Sequence, residues 1–171
     1  EANTNADLWL LASEWGEWRN ITSDNPAWDG SPKYSPDGRY IAYRMQKVEG
    51  YESDRFRIAL YDRQTGDKRV LTEAFDNWAD DFEWSRDSKT ICFLGEERGY
   101  QPLFKIDVKT LKITKLIGNR AISAFQMDSK GHVYFTASST RKPSPLYLWN
   151  QKKQVAEQLT WFNQKFEEDV D

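Results

Sequence analysis

The sequence predicts an all-β protein, a partial β-propeller of four-stranded antiparallel blades, about three and a half of them. Three observations carry this. A hairpin signal recurs at near-constant spacing, a second hairpin follows each copy, and aromatic residues make up 15% of the chain with 8 Trp. That aromatic share favours pleated strands over helices.

The clearest copy of the first hairpin is Tyr34-Ser35-Pro36-Asp37-Gly38-Arg39-Tyr40-Ile41-Ala42-Tyr43. It reads strand, tight turn, strand. Asp37-Gly38 is expected as a two-residue loop with φ > 0 at both positions. Tyr40 and Ala42 fall on one face of the pleat, Ile41 and Tyr43 on the other. Trp84-Ser85-Arg86-Asp87-Ser88-Lys89-Thr90-Ile91-Cys92-Phe93 repeats the pattern, with 50 residues between Ser35 and Ser85. A degenerate third copy starts at Gln126, 42 residues after Trp84, with Gly131 expected at its φ > 0 position.

The second hairpins follow in order. Ile58–Asp62 leads to Arg69–Thr72, Leu103–Asp107 to Ile113–Ile117, and Leu146–Asn150 to Ala156–Thr160. Asp62, Asp107 and Asn150 are spaced by 45 and 43 residues, and Thr72 and Thr160 by 88. Near the start, Leu8–Ala12 and Arg19–Thr22 carry the same second half. Blades are therefore expected over 24–75, 76–119 and 120–162, preceded by the outer half of a blade over 1–23 and followed by an acidic tail or linker over 163–171. Propellers close with about 4–8 blades. The expectation is a piece of a longer protein cut within a blade, with open ends that invite self-association. A strained four-blade ring and an oligomer that covers the ends are the alternatives.

The net charge of −3 gives no reason to expect nucleic acid or an anionic membrane as partner. Leu8–Ala12 is far too short to span a bilayer, and any secretory signal is absent at Glu1 or already removed. Cys92 is the only cysteine, so no internal disulfide forms; a buried thiol is expected. None of the nine glycines has Ser two positions later, so the nucleophile elbow of an α/β-hydrolase is missing. His132 is the only histidine, and no nucleophile is nominated beside it. Gly95 and Gly99 lack the Lys-Ser or Lys-Thr of a phosphate loop. Asp76, Asp80, Asp81 and Glu83 lack calcium-loop spacing and read as a solvated loop. No catalytic residue, metal or cofactor is expected.

One insert stands out, Arg44–Arg55 between Tyr43 and Phe56. The corresponding connection from Leu94 to Pro102 is shorter. Long loops on rigid scaffolds present binding groups. Glu52 and Asp54 suit a cationic group such as a peptide α-amine, and Arg55 suits a carbonyl or carboxylate, so these three are the candidate substrate-binding residues. The alternative is that they pair with one another or with neighbouring blades.

Trp28-Asp29-Gly30-Ser31-Pro32, the Tyr34–Tyr43 hairpin, Gly50-Tyr51-Glu52-Ser53-Asp54-Arg55 and Tyr61-Asp62-Arg63-Gln64-Thr65-Gly66 stand in that order. Together with Trp84–Ile91 and Leu159-Thr160-Trp161-Phe162-Asn163 they resemble the N-terminal propeller of the prolyl oligopeptidase family of serine peptidases. The likeness is to the bacterial dipeptidyl-peptidase V and acylaminoacyl-peptidase types and covers most of the chain. Arg86 departs from the Pro usual at its position. The resemblance implies a propeller that precedes an α/β-hydrolase domain and admits only short or unfolded peptides to it. The chain resembles the propeller's C-terminal half. The Ser, Asp and His of the family have no matching positions here, so the chain alone is non-catalytic while its parent is a serine exopeptidase. Glutamates that grip the substrate amine in dipeptidyl-cleaving relatives also come from the propeller side, and Glu52 is the residue placed for that role. The implied partners are the hydrolase domain of the same parent and a peptide substrate. The implied location is the periplasm or exterior of a bacterium, with the cytoplasm as alternative. Ser-Pro-Asp-Gly alone is shared with TolB-type propellers, which makes a periplasmic protein–protein interaction module the alternative function. A propeller enzyme with its own metal site would show several clustered histidines.

Overall fold

The computed structural model describes residues 4–11, 16–139 and 144–162. Among them every regular element is a β-strand. The order is β1 (Trp9–Leu11), β2 (Trp18–Asn20), β3 (Asp29–Tyr34), β4 (Tyr40–Met45), β5 (Arg57–Asp62), β6 (Lys68–Val70), β7 (Ala79–Trp84), β8 (Thr90–Gly95), β9 (Leu103–Asp107), β10 (Ile113–Ile117), β11 (Ala121–Met127), β12 (Val133–Ser138), β13 (Leu146–Asn150) and β14 (Val155–Gln158). Strands adjacent in sequence are adjacent in space, giving three four-stranded sheets, β3–β6, β7–β10 and β11–β14, and the pair β1–β2. Each four-stranded sheet is a meander of two hairpins, as the repeated signals require. The acidic stretch 163–171 lies outside the described residues.

The chain divides into two compact units, Glu1–Asp80 and Asp81–Asp171. The core of the first gathers Leu8 just before β1, Ile21 just after β2, Ile41, Tyr43 and Met45 from β4, and Ala59 and Tyr61 from β5. Arg19 on β2 donates to the Tyr61 hydroxyl on β5 at 2.6 Å. The core of the second includes Cys92, Leu103, Ile117, Ile122, Phe125 and Phe135. Burial pushes the Cys92 thiol up to about 11, so it stays protonated and inert at neutral pH.

The turn at Asp37-Gly38 differs from expectation. Only Gly38 takes positive φ, at 70°. The Gly38 N–H donates to the Ser35 carbonyl at 2.8 Å, and the Ser35 N–H to the Tyr40 carbonyl at 2.9 Å. The loop is thus longer by two residues. The reason is Pro36, whose fixed φ starts a type I turn across Ser35–Gly38 and keeps Asp37 out of the left-handed region. Asp37 closes the loop by accepting from the Ser35 hydroxyl at 2.6 Å and the Arg39 N–H at 3.1 Å. Ser88 (φ 58°) and Gly131 (φ 83°) occupy the left-handed position in the other two copies.

A threonine clasp holds the outer hairpin in three places. The hydroxyls of Thr22, Thr72 and Thr160 accept from the backbone N–H of Leu8, Ile58 and Leu146, each at 2.9 Å. In the β7–β10 sheet the residue at the same offset from Leu103 is Ile117, beside a register shift between β9 and β10.

Candidate functional site

The β4–β5 connection, residues 46–56, is rigid because its polar groups are turned inward. Gln46 is buried, and its side-chain amide donates to the carbonyls of Glu52 (3.1 Å) and Asp54 (2.7 Å). Its own N–H donates to the Trp28 carbonyl at 2.8 Å. Gly50 takes φ 67°, a left-handed conformation that glycine adopts without strain. Two further turns follow, Tyr51 N–H to Val48 carbonyl (3.2 Å) and Asp54 N–H to Tyr51 carbonyl (3.0 Å).

Asp54 is buried at the base of this loop, 7% exposed. Its carboxylate accepts from the N–H groups of Lys47 (2.6 Å) and Val48 (3.1 Å) and from the Arg57 guanidinium (3.2 Å). Burial alone raises its pKa; the two N–H groups and the guanidinium outweigh that and hold it below the usual carboxylate value. Arg55 donates to the carbonyls of Phe75 and Glu73, the latter at 2.9 Å. Glu73 is the hub of the loop's cations. It pairs with Lys47 at 2.7 Å and lies 3.6 Å from Arg57 and 3.9 Å from Arg55. The Lys47 hydrogen bond is the main cause that lowers the Glu73 pKa.

Of the three residues singled out in the sequence, the structure therefore engages two inside the chain. Asp54 and Arg55 fasten the loop. Glu52 is exposed; only its carbonyl is used. Its carboxylate, like that of the exposed Glu49, makes no hydrogen bond or ion pair among the described residues. The loop thus presents two unpaired carboxylates on a fixed backbone, a device suited to a cationic group. Sequence reasoning missed Gln46, Glu73, Arg57 and Glu49. Glu49 was readable as a loop carboxylate, whereas Glu73 lies 26 residues from Lys47 and carries no local signal.

The base of the loop is an aromatic ladder. Trp28 and Trp78 both meet the Phe56 ring edge-on, with centroids 5.1 and 5.2 Å away. Arg44 lies over Phe56 at 4.0 Å and pairs with Asp80 at 3.1 Å. Asp80, grouped in the sequence with Asp76, Asp81 and Glu83, is thus tied to a cation. His132 and Asp128 form an exposed pair at 2.7 Å. Asp128 also accepts from the N–H groups of Lys130 and His132, so the pair closes the β11–β12 turn.

No family model matches the chain. Dipeptidyl-peptidase 5 of Porphyromonas gingivalis is 32% identical over 164 residues, which is 92% of this chain and 23% of that protein. The chain thus spans about a quarter of the length of its curated relative. Among solved structures, the acylaminoacyl peptidase of Pyrococcus horikoshii superposes with a TM-score of 0.75 at 20% identity, covering 96% of this chain and 24% of that one. The β-propeller domain of the Trilobed protease from Pyrococcus furiosus, described as having an open velcro topology, superposes with a TM-score of 0.67 at 19% identity over 92% of this chain and 44% of that one. These two likenesses establish the fold as that of a β-propeller. With the sequence identity held along nearly its whole length, the chain is homologous to a stretch of dipeptidyl-peptidase 5.

Proposed function

We propose that the chain is the propeller portion of a serine exopeptidase of the prolyl oligopeptidase type, and that it gates and orients short peptides for an α/β-hydrolase domain of the same parent. The observation that carries this reading is the 32% identity to a dipeptidyl-peptidase that is about four times longer, sustained over 92% of this chain. The geometry that supports it is the 46–56 loop. A dipeptidyl-cleaving enzyme must hold a free α-amine at a fixed distance from the scissile bond, and a carboxylate on a preorganised loop does this with little ordering cost at the moment of binding. Glu52 is assigned that role. Asp54 and Arg55 serve binding indirectly, by holding the loop that carries Glu52.

The test is Glu52→Gln in the parent enzyme. KM for substrates with a free amino terminus is expected to rise about tenfold, the loss of one charge-assisted hydrogen bond, with kcat little changed. N-acetylated substrates are expected to show no difference. Unchanged KM for the free-amine substrates removes Glu52 from the binding machinery. Glu49→Gln serves as the matched control for loss of one loop charge.

A further inference from the structure

The second unit contains a cleft of about 720 Å³ whose lining includes Tyr100, Arg120, Ala121, Ser138, Ser139 and Tyr147. Its origin is a substitution in the repeat. The N–H groups of Asp29, Ala79 and Ile122 donate to the carbonyls of Ala6, Phe56 and Gln101 respectively, at 2.7, 2.9 and 3.3 Å. These three positions therefore correspond. The residue before each is Trp28, Trp78 and Ala121. Where the first unit fills the space with two indoles around Phe56, the second has Ala121 and Gln101. Removal of ring volume from a close-packed site leaves a void, and this one is open and polar enough to hold water or a ligand.

The walls are held in place. Glu97 and Tyr100 exchange N–H···O bonds at 3.0 and 2.9 Å across Arg98 (φ 51°) and Gly99 (φ 79°), a two-residue turn of type I′ that fixes Tyr100. The Arg120 carbonyl accepts from the Gln101 N–H at 3.0 Å. The Arg120 guanidinium lies 4.9 Å from the centre of the Tyr147 ring. That ring shields one face of the guanidinium from water, while its N–H fork remains able to donate. Arg44 in the first unit makes the same kind of ring contact and is paired with Asp80. Among the described residues Arg120 has no acidic partner, and it is the single charged side chain among the described residues of the cleft lining.

We propose that this cleft binds the carboxylate of a short peptide, with Arg120 as its anchor. A planar guanidinium matches a carboxylate with two parallel hydrogen bonds. Tyr100, 47% exposed, offers ring surface to the adjoining peptide side chain. The proposal takes the class of ligand, a peptide, from the function proposed above, but it concerns the opposite end of the ligand and a different site.

The two readings separate in one titration. Calorimetry on the 171-residue chain would use four versions of one tripeptide, with the amino end free or acetylated and the carboxyl end free or amidated. Amidation is expected to weaken binding about tenfold or more whether or not the amine is blocked, as loss of a bidentate charged pair requires. Arg120→Met is expected to abolish that preference, and Arg120→Lys, which keeps the charge but not the fork, to retain part of it. Acid and amide binding alike, an Arg120→Met chain that still prefers the acid, or no heat with the acetylated acid at millimolar concentration would each overturn the proposal. Discrimination by acetylation, sensitive to Glu52→Gln, belongs to the other site and stands or falls independently.

Discussion

Asp54 and Glu52, two positions apart, show how burial sorts chemically similar residues. Asp54 carries three donors on its carboxylate and faces Arg57, itself only 8% exposed. Replacing it by Asn keeps the shape, removes the charge and leaves a buried guanidinium under-compensated. Breaking a buried pair in this way costs several kcal/mol when desolvation is complete; Arg57 keeps Glu73 within 3.6 Å, so Asp54→Asn is expected to destabilise the chain by about 2 kcal/mol, read as a lowered urea midpoint at pH 7. The folded-state pKa of Asp54 lies below its unfolded value. The stabilisation is therefore present above the unfolded pKa and lost as pH falls through the folded one, so wild type and variant are expected to converge below about pH 4. Glu52, exposed and unpaired, has no such role: Glu52→Gln is expected to leave the midpoint within about 0.5 kcal/mol of wild type, as surface substitutions do.

At the scale of the element, the threonine clasp explains why Leu-Thr or Ile-Thr recurs after the outer strand. Thr72 is 1% exposed and its hydroxyl is the acceptor for the Ile58 N–H at the start of β5. Thr72→Val preserves volume and β-branching but leaves that N–H without its partner. A loss of about 1–3 kcal/mol is expected, measurable as reduced hydrogen-exchange protection at Ile58 as well as a lower midpoint. Elements of this kind were legible in the sequence because their causes are local. Proline, glycine and serine at fixed offsets dictate the turns, and a period of two dictates the strands. What was not legible depends on neighbours distant in the chain. The length of the Asp37-Gly38 loop turned on Pro36, which was in view but outweighed by the Asp-Gly signal. The register shift between Gly30 and Lys33 on β3 had no local mark. The candidate loop was visible as an insert with Glu52, Asp54 and Arg55, but which charge remained unpaired depended on Glu73 and Arg57. The cleft beside Arg120 was invisible until backbone hydrogen bonds aligned Trp28, Trp78 and Ala121.

For the molecule as a whole, the ionisable groups pull stability in opposite directions as pH changes. Asp24, Asp54, Glu73 and Asp87 all titrate below their ordinary values, through hydrogen bonds and nearby cations that outweigh burial. Their contribution is complete above about pH 4.5 and is lost on acidification. Asp29 behaves in the reverse sense. It is 2% exposed, one carboxyl oxygen has no partner, and burial pushes its pKa up to about 7. Asn25, donating to its other oxygen at 3.0 Å, and the nearby Thr22 hydroxyl favour the charged form less than burial opposes it, while Asp7 adds a like charge and Lys68 a weaker opposite one. Between the unfolded value of 3.8 and about 7 the folded state binds this proton and the unfolded state does not. Stability therefore falls as pH rises across that window, by at most about 4 kcal/mol if the shift is fully expressed. Cys92 adds a second decline in alkali, between its ordinary value of 9.0 and about 11. The melting temperature is accordingly expected to peak near pH 4–5 and to decline toward pH 8. Asp29→Asn keeps an acceptor for Asn25 and cannot ionise, so it is expected to flatten the profile between pH 5 and 8 and to exceed wild type at pH 8. Calorimetric scans of both proteins across that range decide the matter: parallel profiles would mean that Asp29 ionises in the folded state as readily as in the unfolded chain.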